Sequence, residues 1–191
     1  MLKNLFVSKV RIEILEYYFT HPNEAFHVRA LVRALKEEIN AVRRELINLE
    51  KCGILTSERK NNKLIYTINP SSPVLEELKS LIYKDSELGQ RIYKMLPIVG
   101  NIDIVILSYA FIENKYENTL DVDLLFIGTP DIRKLATSIK DIEKDIHREL
   151  RYSVISKQDY NFAKKKMEPF LMNIIQKNYI LLVGTEKALN V

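Results

Sequence analysis

This chain of 191 residues has no tryptophan, one cysteine and five glycines. The lone Cys52 excludes an intrachain disulfide framework, and no Cys/His cluster has metal-ligand spacing. The few glycines are never arranged as GxGxxG or GxxxxGK, so a phosphate-cradling loop of either kind is not expected. No apolar run approaches the ~18 residues of a membrane span. The opening stretch MLKNLFVSKVRIEILEYY is broken by charge and lacks a signal peptide's apolar core. His21, His27 and His147 lie far apart and suggest no Ser or Cys triad. The ten tyrosines are scattered, without the stacking pattern of a single-strand binder. A cytoplasmic protein with no membrane partner is the expectation.

What is present allows one large or two small domains, with 47% hydrophobic and 28% charged residues. The net charge of +4 is unevenly distributed. Residues 1–69 carry 12 Lys/Arg against 8 Asp/Glu, whereas residues 70–191 carry 17 of each. The whole surplus therefore sits where a polyanion-binding module would need it, although scatter over a short segment can produce the same imbalance.

Within residues 1–69, Ser8 can cap a helix from Lys9 to about Thr20, with Val10, Ile14, Tyr17 and Tyr18 facing inward. His21-Pro22-Asn23-Glu24 ends it. Ala25-Phe26-His27 is a stub of strand, and Val28 to Leu35 is a second helix with Val28, Leu31, Val32 and Leu35 inward. In the stretch Glu37 to Gly53, Ile39, Val42, Leu46 and Leu49 form one narrow helical stripe. Asn40, Arg43, Arg44, Asn48 and Lys51 flank that stripe, and Gly53 marks the helix stop. Two β-leaning runs, 54–59 and 64–69, surround the polar turn 60–63 and predict a hairpin. Its tip carries Arg59, Lys60 and Lys63, with two asparagines that tolerate turn geometry.

The order of three helices and a basic hairpin predicts a winged helix-turn-helix. A helix fits the major groove, where Arg pairs with guanine edges and Asn with adenine edges. Asn40, Arg43 and Arg44, with Asn48 on the same flank, are the candidates for base contacts. Arg29, Arg59, Lys60 and Lys63 are the candidates for the backbone and the flanking minor groove. The plainer reading is a solvated helix face, with Arg43 and Arg44 paired to Glu38 or Glu45.

The patterns VRxLxRxL and NxVRRELxNLEKxGxL, followed by a basic turn and an aliphatic-Tyr strand, carry a resemblance. Over residues 7–69 the chain resembles the arsenic-repressor-like (ArsR-like) winged-helix transcription regulators. The resemblance implies sequence-specific binding of double-stranded DNA, usually as a homodimer. Metal-sensing members place thiolate pairs near the recognition helix. With Cys52 alone, a metalloregulatory switch is not expected.

Residues 70–99 read as a helical linker. Ser72 and Pro73 start one helix, with Val74, Leu75, Leu78, Leu81 and Ile82 on its apolar face. Ser86 opens another through Leu88, Ile92, Met95 and Leu96. Such helices either pair across a dimer or pack on their own chain.

Residues 100–191 alternate strands and helices: strands at 102–107, 121–128, 150–155 and 179–183, and helices at 131–148, 157–166 and 168–177. The fold class expected is therefore α+β, with a second α/β domain built on a small mixed sheet. Asp121 and Asp123 flank one valine at a strand mouth, and alternation would put both carboxylates on one face. With a third acid from a neighbouring strand, such a pair can hold Mg²⁺ for nucleotidyl transfer.

The arrangement of strand, Ser108, about a dozen residues and Asp-x-Asp-strand resembles the small nucleotidyltransferase domains of the polymerase-beta superfamily, over roughly residues 98–184. The family's Gly-Ser pair would fall at Leu107-Ser108, and Leu107 is not glycine. Phe111-Ile112-Glu113-Asn114 replaces a small, basic stretch, and the third strand, Leu150-Arg151-Tyr152-Ser153-Val154, has no acid in its middle. Glu149 stands only at its edge. These departures imply a vestigial site at Ser108, Asp121 and Asp123, with no catalytic residue, metal or cofactor. The alternative is an active transferase using Mg²⁺ and ATP at Asp121 and Asp123. A third reading is a domain that binds a nucleotide effector without turnover and adjusts DNA affinity. Lys164-Lys165-Lys166 reads as a solvated charge cluster at a helix end.

Overall fold

The computed structural model describes residue 2 and residues 6–189, and the chain divides into two compact units, Met1–Ile82 and Tyr83–Val191. The secondary structure is mixed α+β, as expected. No described helix is long and apolar enough to cross a membrane.

In the first unit the order is α1 (Lys9–Thr20), β1 (Phe26–His27), α2 (Val28–Leu35), α3 (Ile39–Lys51), β2 (Leu55–Lys60) and β3 (Lys63–Ile68). Helix α4 (Leu75–Asp85) follows, and the division between the units falls within it. Ser8 caps α1 by accepting the Arg11 amide at 3.3 Å. The buried face of α1 is Ile12, Ile14, Leu15, Tyr18 and Phe19, while the expected Val10 and Tyr17 are half-buried. The stripe is broader than the pattern implied because α1 packs on α3 and also reaches β3, where the Tyr18 hydroxyl donates to the Tyr66 carbonyl at 3.0 Å. In α2 only Leu31 is fully buried; Val28, Val32 and Leu35 are half-buried.

Helix α3 buries Val42, Leu46 and Leu49, with Ile39 half-buried. The Glu38 carboxylate starts it, accepting the amides of Asn40 at 2.7 Å and Ala41 at 2.9 Å. Its end is a Schellman turn: Ile54 N–H donates to Leu49 O, Gly53 N–H donates to Glu50 O, and Gly53 has φ +71°. The strand order is β1-β3-β2, all antiparallel. Lys60 faces Lys63 across a two-residue turn in which Asn61 and Asn62 have φ +46° and +59°. Two left-handed asparagines close a tight primed turn, so the loop is shorter than the four residues the sequence suggested.

The second unit contains α5 (Glu87–Val99), β4 (Ile102–Leu107), α6 (Tyr109–Ile112), β5 (Leu124–Gly128), α7 (Ile132–Ile146) and β6 (Tyr152–Ile155). It ends with α8 (Lys157–Lys166), α9 (Pro169–Ile175), β7 (Ile180–Val183) and α10 (Glu186–Leu189). The sheet is mixed, in the order β6-β5-β4-β7, with β4 antiparallel to both neighbours and β5 parallel to β6. Ile104, Ile106, Leu125 and Ile127 pack with Tyr160 and Leu171 in one core. The alternate residues Val105, Leu107, Leu124 and Phe126 are also buried, so both central strands are covered on two faces. Helix α5 packs against α7, helped by an Arg91–Asp145 ion pair.

Candidate functional site

Helices α2 and α3 and the β2–β3 hairpin border an open hollow of about 970 Å³. Its α3 wall is Ile39, Arg43, Ile47 and Glu50, which share one helical face. Arg29 and Arg33 line it from α2, and Asn62, Lys63 and Leu64 line it from the hairpin. Arg29, Arg33, Arg43 and Lys63 are exposed, and none has a salt-bridge partner among the described residues. Glu50, the acid on this wall, accepts a hydrogen bond from the Ser57 hydroxyl at 2.5 Å. Four cations against one hydrogen-bonded acid make a concave surface of positive potential.

The expected contact residues distribute unevenly around this hollow. Arg29, Arg43 and Lys63 line it. Asn40 and Arg44 are exposed on α3 but do not line it. The Asn40 amide group donates to Glu38 at 3.1 Å. Arg44 lies 3.6 Å from Glu45 with its side chain 69% exposed. Arg59 is exposed opposite Leu64 in the ladder, and Lys60 is ion-paired with Glu58. Asn48 is half-buried, and its side-chain amide is 3.4 Å from Glu45. Arg33 belongs to the hollow but was not among the expected residues. Its spacing of four from Arg29 was the available signal.

Glu45 keeps the ion pair with Arg44 that the plainer sequence reading allowed, but a second partner holds it more closely. It is 3% exposed, and its main partner is Arg11 of α1, whose Nε donates at 2.8 Å. Burial pushes the Glu45 carboxyl upward. Hydrogen bonds from Arg11, Asn48 and Ser8 and the Arg11 charge outweigh burial and hold it below its ordinary value. Glu45 therefore clamps α3 onto α1 and leaves Arg43 without that counter-ion.

In the second unit, Asp121, Val122 and Asp123 precede β5, which begins at Leu124. Strand alternation does not govern them, and the two acids turn to different partners. Asp123 is fully buried. Its Oδ1 accepts the Tyr116 hydroxyl at 2.6 Å, and its Oδ2 accepts the Arg151 amide at 2.8 Å. Arg148 donates to that same Tyr116 hydroxyl at 2.7 Å and lies 3.7 Å from Asp123. Asp121 Oδ2 accepts the amides of Glu117 at 2.6 Å and Asn118 at 2.8 Å, and its Oδ1 accepts the Asn173 side chain at 2.7 Å. Burial pushes the Asp121 carboxyl upward, but these hydrogen bonds and the Lys177 charge prevail and hold it below its ordinary 3.8.

Ser108 is buried; its hydroxyl donates to the Val122 carbonyl and its amide to the Asp123 carbonyl at 2.9 Å. It makes no side-chain cap to the four-residue α6. Asp121 borders a hollow with Ser108 and Lys177, whereas Asp123 borders another with Glu143, Arg148 and Glu149. Glu149 shares the hollow of Asp123, and Glu143 accepts the Leu150 amide at 2.7 Å. Among the described residues no three His, Cys, Asp or Glu side chains converge to hold a cation. Each carboxylate is engaged by hydrogen-bond donors, Asp123 by Tyr116 and the Arg151 amide, Asp121 by the Glu117 and Asn118 amides and Asn173. Tyr116 and Arg148 were not foreseen. Arg148 sits 4.0 Å over the Phe111 ring and Arg151 4.5 Å over the Tyr116 ring, neighbours that only the fold brings together.

Comparison with protein-family models, with curated proteins and with solved structures gave no match.

Proposed function

We propose that the chain is a sequence-specific, double-stranded-DNA-binding transcription regulator. Its first unit is read as an arsenic-repressor-like winged helix-turn-helix, with α3 as recognition helix and β2–β3 as wing. The observation that carries this is the set of exposed cations Arg29, Arg33, Arg43 and Lys63, without salt-bridge partners among the described residues, around one hollow beside α3. Asn40, Arg43 and Arg44 read base edges in the major groove, with Asn48 at the margin. Arg29, Arg59, Lys60 and Lys63 hold phosphates and the flanking minor groove. Two copies of the chain bind related half-sites.

The second unit is read as a nucleotidyltransferase-like fold without transferase activity. Support comes from Ser108 directly following β4, the acids at the entrance of the antiparallel neighbour β5, and the engagement of all three side chains in internal hydrogen bonds. An active enzyme would have to release Asp121 and Asp123 from those partners.

Selection of bound duplexes from a random pool, followed by fluorescence anisotropy across a salt series, tests the first reading. The expected result is an enriched motif and an affinity that falls steeply with salt. Absence of duplex binding at about 50 mM salt, well below physiological ionic strength, overturns it. Mg²⁺-dependent nucleotide transfer that disappears in Asp123→Ala overturns the second.

A further inference from the structure

Ile47 falls outside the buried stripe of α3. It is 37% exposed, one turn beyond Arg43 on the wall of the hollow. Across the hollow Leu64, at the wing tip, is 39% exposed. Val32 and Ile39, both half-buried, continue this apolar strip between the cations. A phosphate-binding surface alone would need no such strip. A duplex offers one apolar group at the depth a recognition helix reaches, the C5-methyl of thymine. The cations on the rim fit a polyanion and do not fit a basic or neutral peptide partner.

Resting on the DNA-binding reading above, we infer that Ile47 is a specificity-determining residue that packs against a thymine methyl in the major groove. Arg43, one turn away, then fixes the register of the neighbouring base pair. The operator carries a required thymine at the step next to the one that Arg43 reads.

The test replaces each thymine of a selected site, one at a time, with deoxyuridine, which removes the methyl and keeps every hydrogen-bonding group. In the unaltered chain, one position per half-site should lose about fourfold in affinity, the effect of one buried methyl group. In Ile47→Ala the same replacement should have no further effect, and the slope of affinity against salt should stay as it was. No deoxyuridine effect in the unaltered chain, with salt-dependent duplex binding intact, overturns the inference and leaves the regulator reading standing. An equal deoxyuridine effect in both chains assigns the methyl contact to another residue and also overturns it. If Ile47→Ala changes the sedimentation of the DNA-free chain while the deoxyuridine effect persists, the strip is a contact between copies and the inference falls. Loss of all duplex binding by the unaltered chain removes both readings together.

Discussion

In the first unit, Arg29, Arg33, Arg43 and Lys63 line an open hollow without salt-bridge partners among the described residues. In the second, Asp121, Asp123 and Ser108 are buried and each is hydrogen-bonded within its own unit. The same physics governs both sets. A charge left in water is kept at little cost and remains available to a ligand, whereas a charge taken out of water must be paired or hydrogen-bonded to persist. Glu45 sharpens the contrast, because it is the buried acid of the first unit and is held by Arg11. With Glu45 turned to Arg11, Arg43 on α3 has no salt-bridge partner among the described residues. The two candidate sites thus differ in where their charge is available: outward-facing in one, internal in the other.

The largest expected effect tests the outward-facing side. Replacing both Arg43 and Arg44 with alanine should lower affinity for a selected duplex by about a hundredfold or more, since each base-reading arginine contributes about 1–3 kcal/mol. Both side chains are exposed, so thermal unfolding should barely move. Anisotropy and a melting curve on the same preparation check both halves. Unchanged affinity would break the comparison at its first term.

The internal side should respond in the opposite way. Asp123→Ala leaves the Tyr116 hydroxyl and the Arg151 amide without their acceptor and Arg148 without its nearby charge. The expected loss is about 3 kcal/mol, read from the denaturant midpoint at constant slope. Asp121 adds a pH dependence. Its folded value lies below its ordinary 3.8, so its stabilisation is complete above that value and is lost as pH falls through the depressed one. In Asp121→Asn the acid-side fall in stability should be shallower.

A smaller effect is expected at the Arg11–Glu45 pair, because the Arg11 side chain is 33% exposed and solvent screens part of the attraction. Glu45→Ala should cost about 1–2 kcal/mol, and Arg11→Met with Glu45→Leu should recover most of it. Equal losses in the single and double variants would show that Glu45 acts through packing and not through Arg11.

Features set by neighbours along the chain were legible in the sequence. Ser8 capping α1, Gly53 ending α3 and the span of α2 all follow from residues within one or two turns. The apolar runs at 104–107 and 124–127 likewise announced the two central strands. What escaped depends on partners distant in sequence. Glu45 meets Arg11 from 34 residues away, and Asp121 meets Asn173 from 52. Their roles could not be read from a local window. Alternation misplaced the two aspartates because β5 starts one residue after Asp123, and alternation holds only inside a strand.

The hairpin allows the contrast to be tested within a single turn. Lys60 and Lys63 are cross-strand partners, yet Lys60 is ion-paired with Glu58 while Lys63 lines the hollow without a salt bridge among the described residues. If availability decides what a charge contributes, Lys63→Ala should reduce duplex affinity about threefold and lower the salt slope by about one. Lys60→Ala should reduce affinity by less than twofold, because Glu58 already offsets part of its charge. Glu58→Gln should then make Lys60 as effective as Lys63, and Lys60→Ala in that background should lose as much as Lys63→Ala. Equal losses in the original background would mean that an exposed pair at the surface is too weak to withhold a charge from DNA, and that proximity to the duplex outweighs pairing.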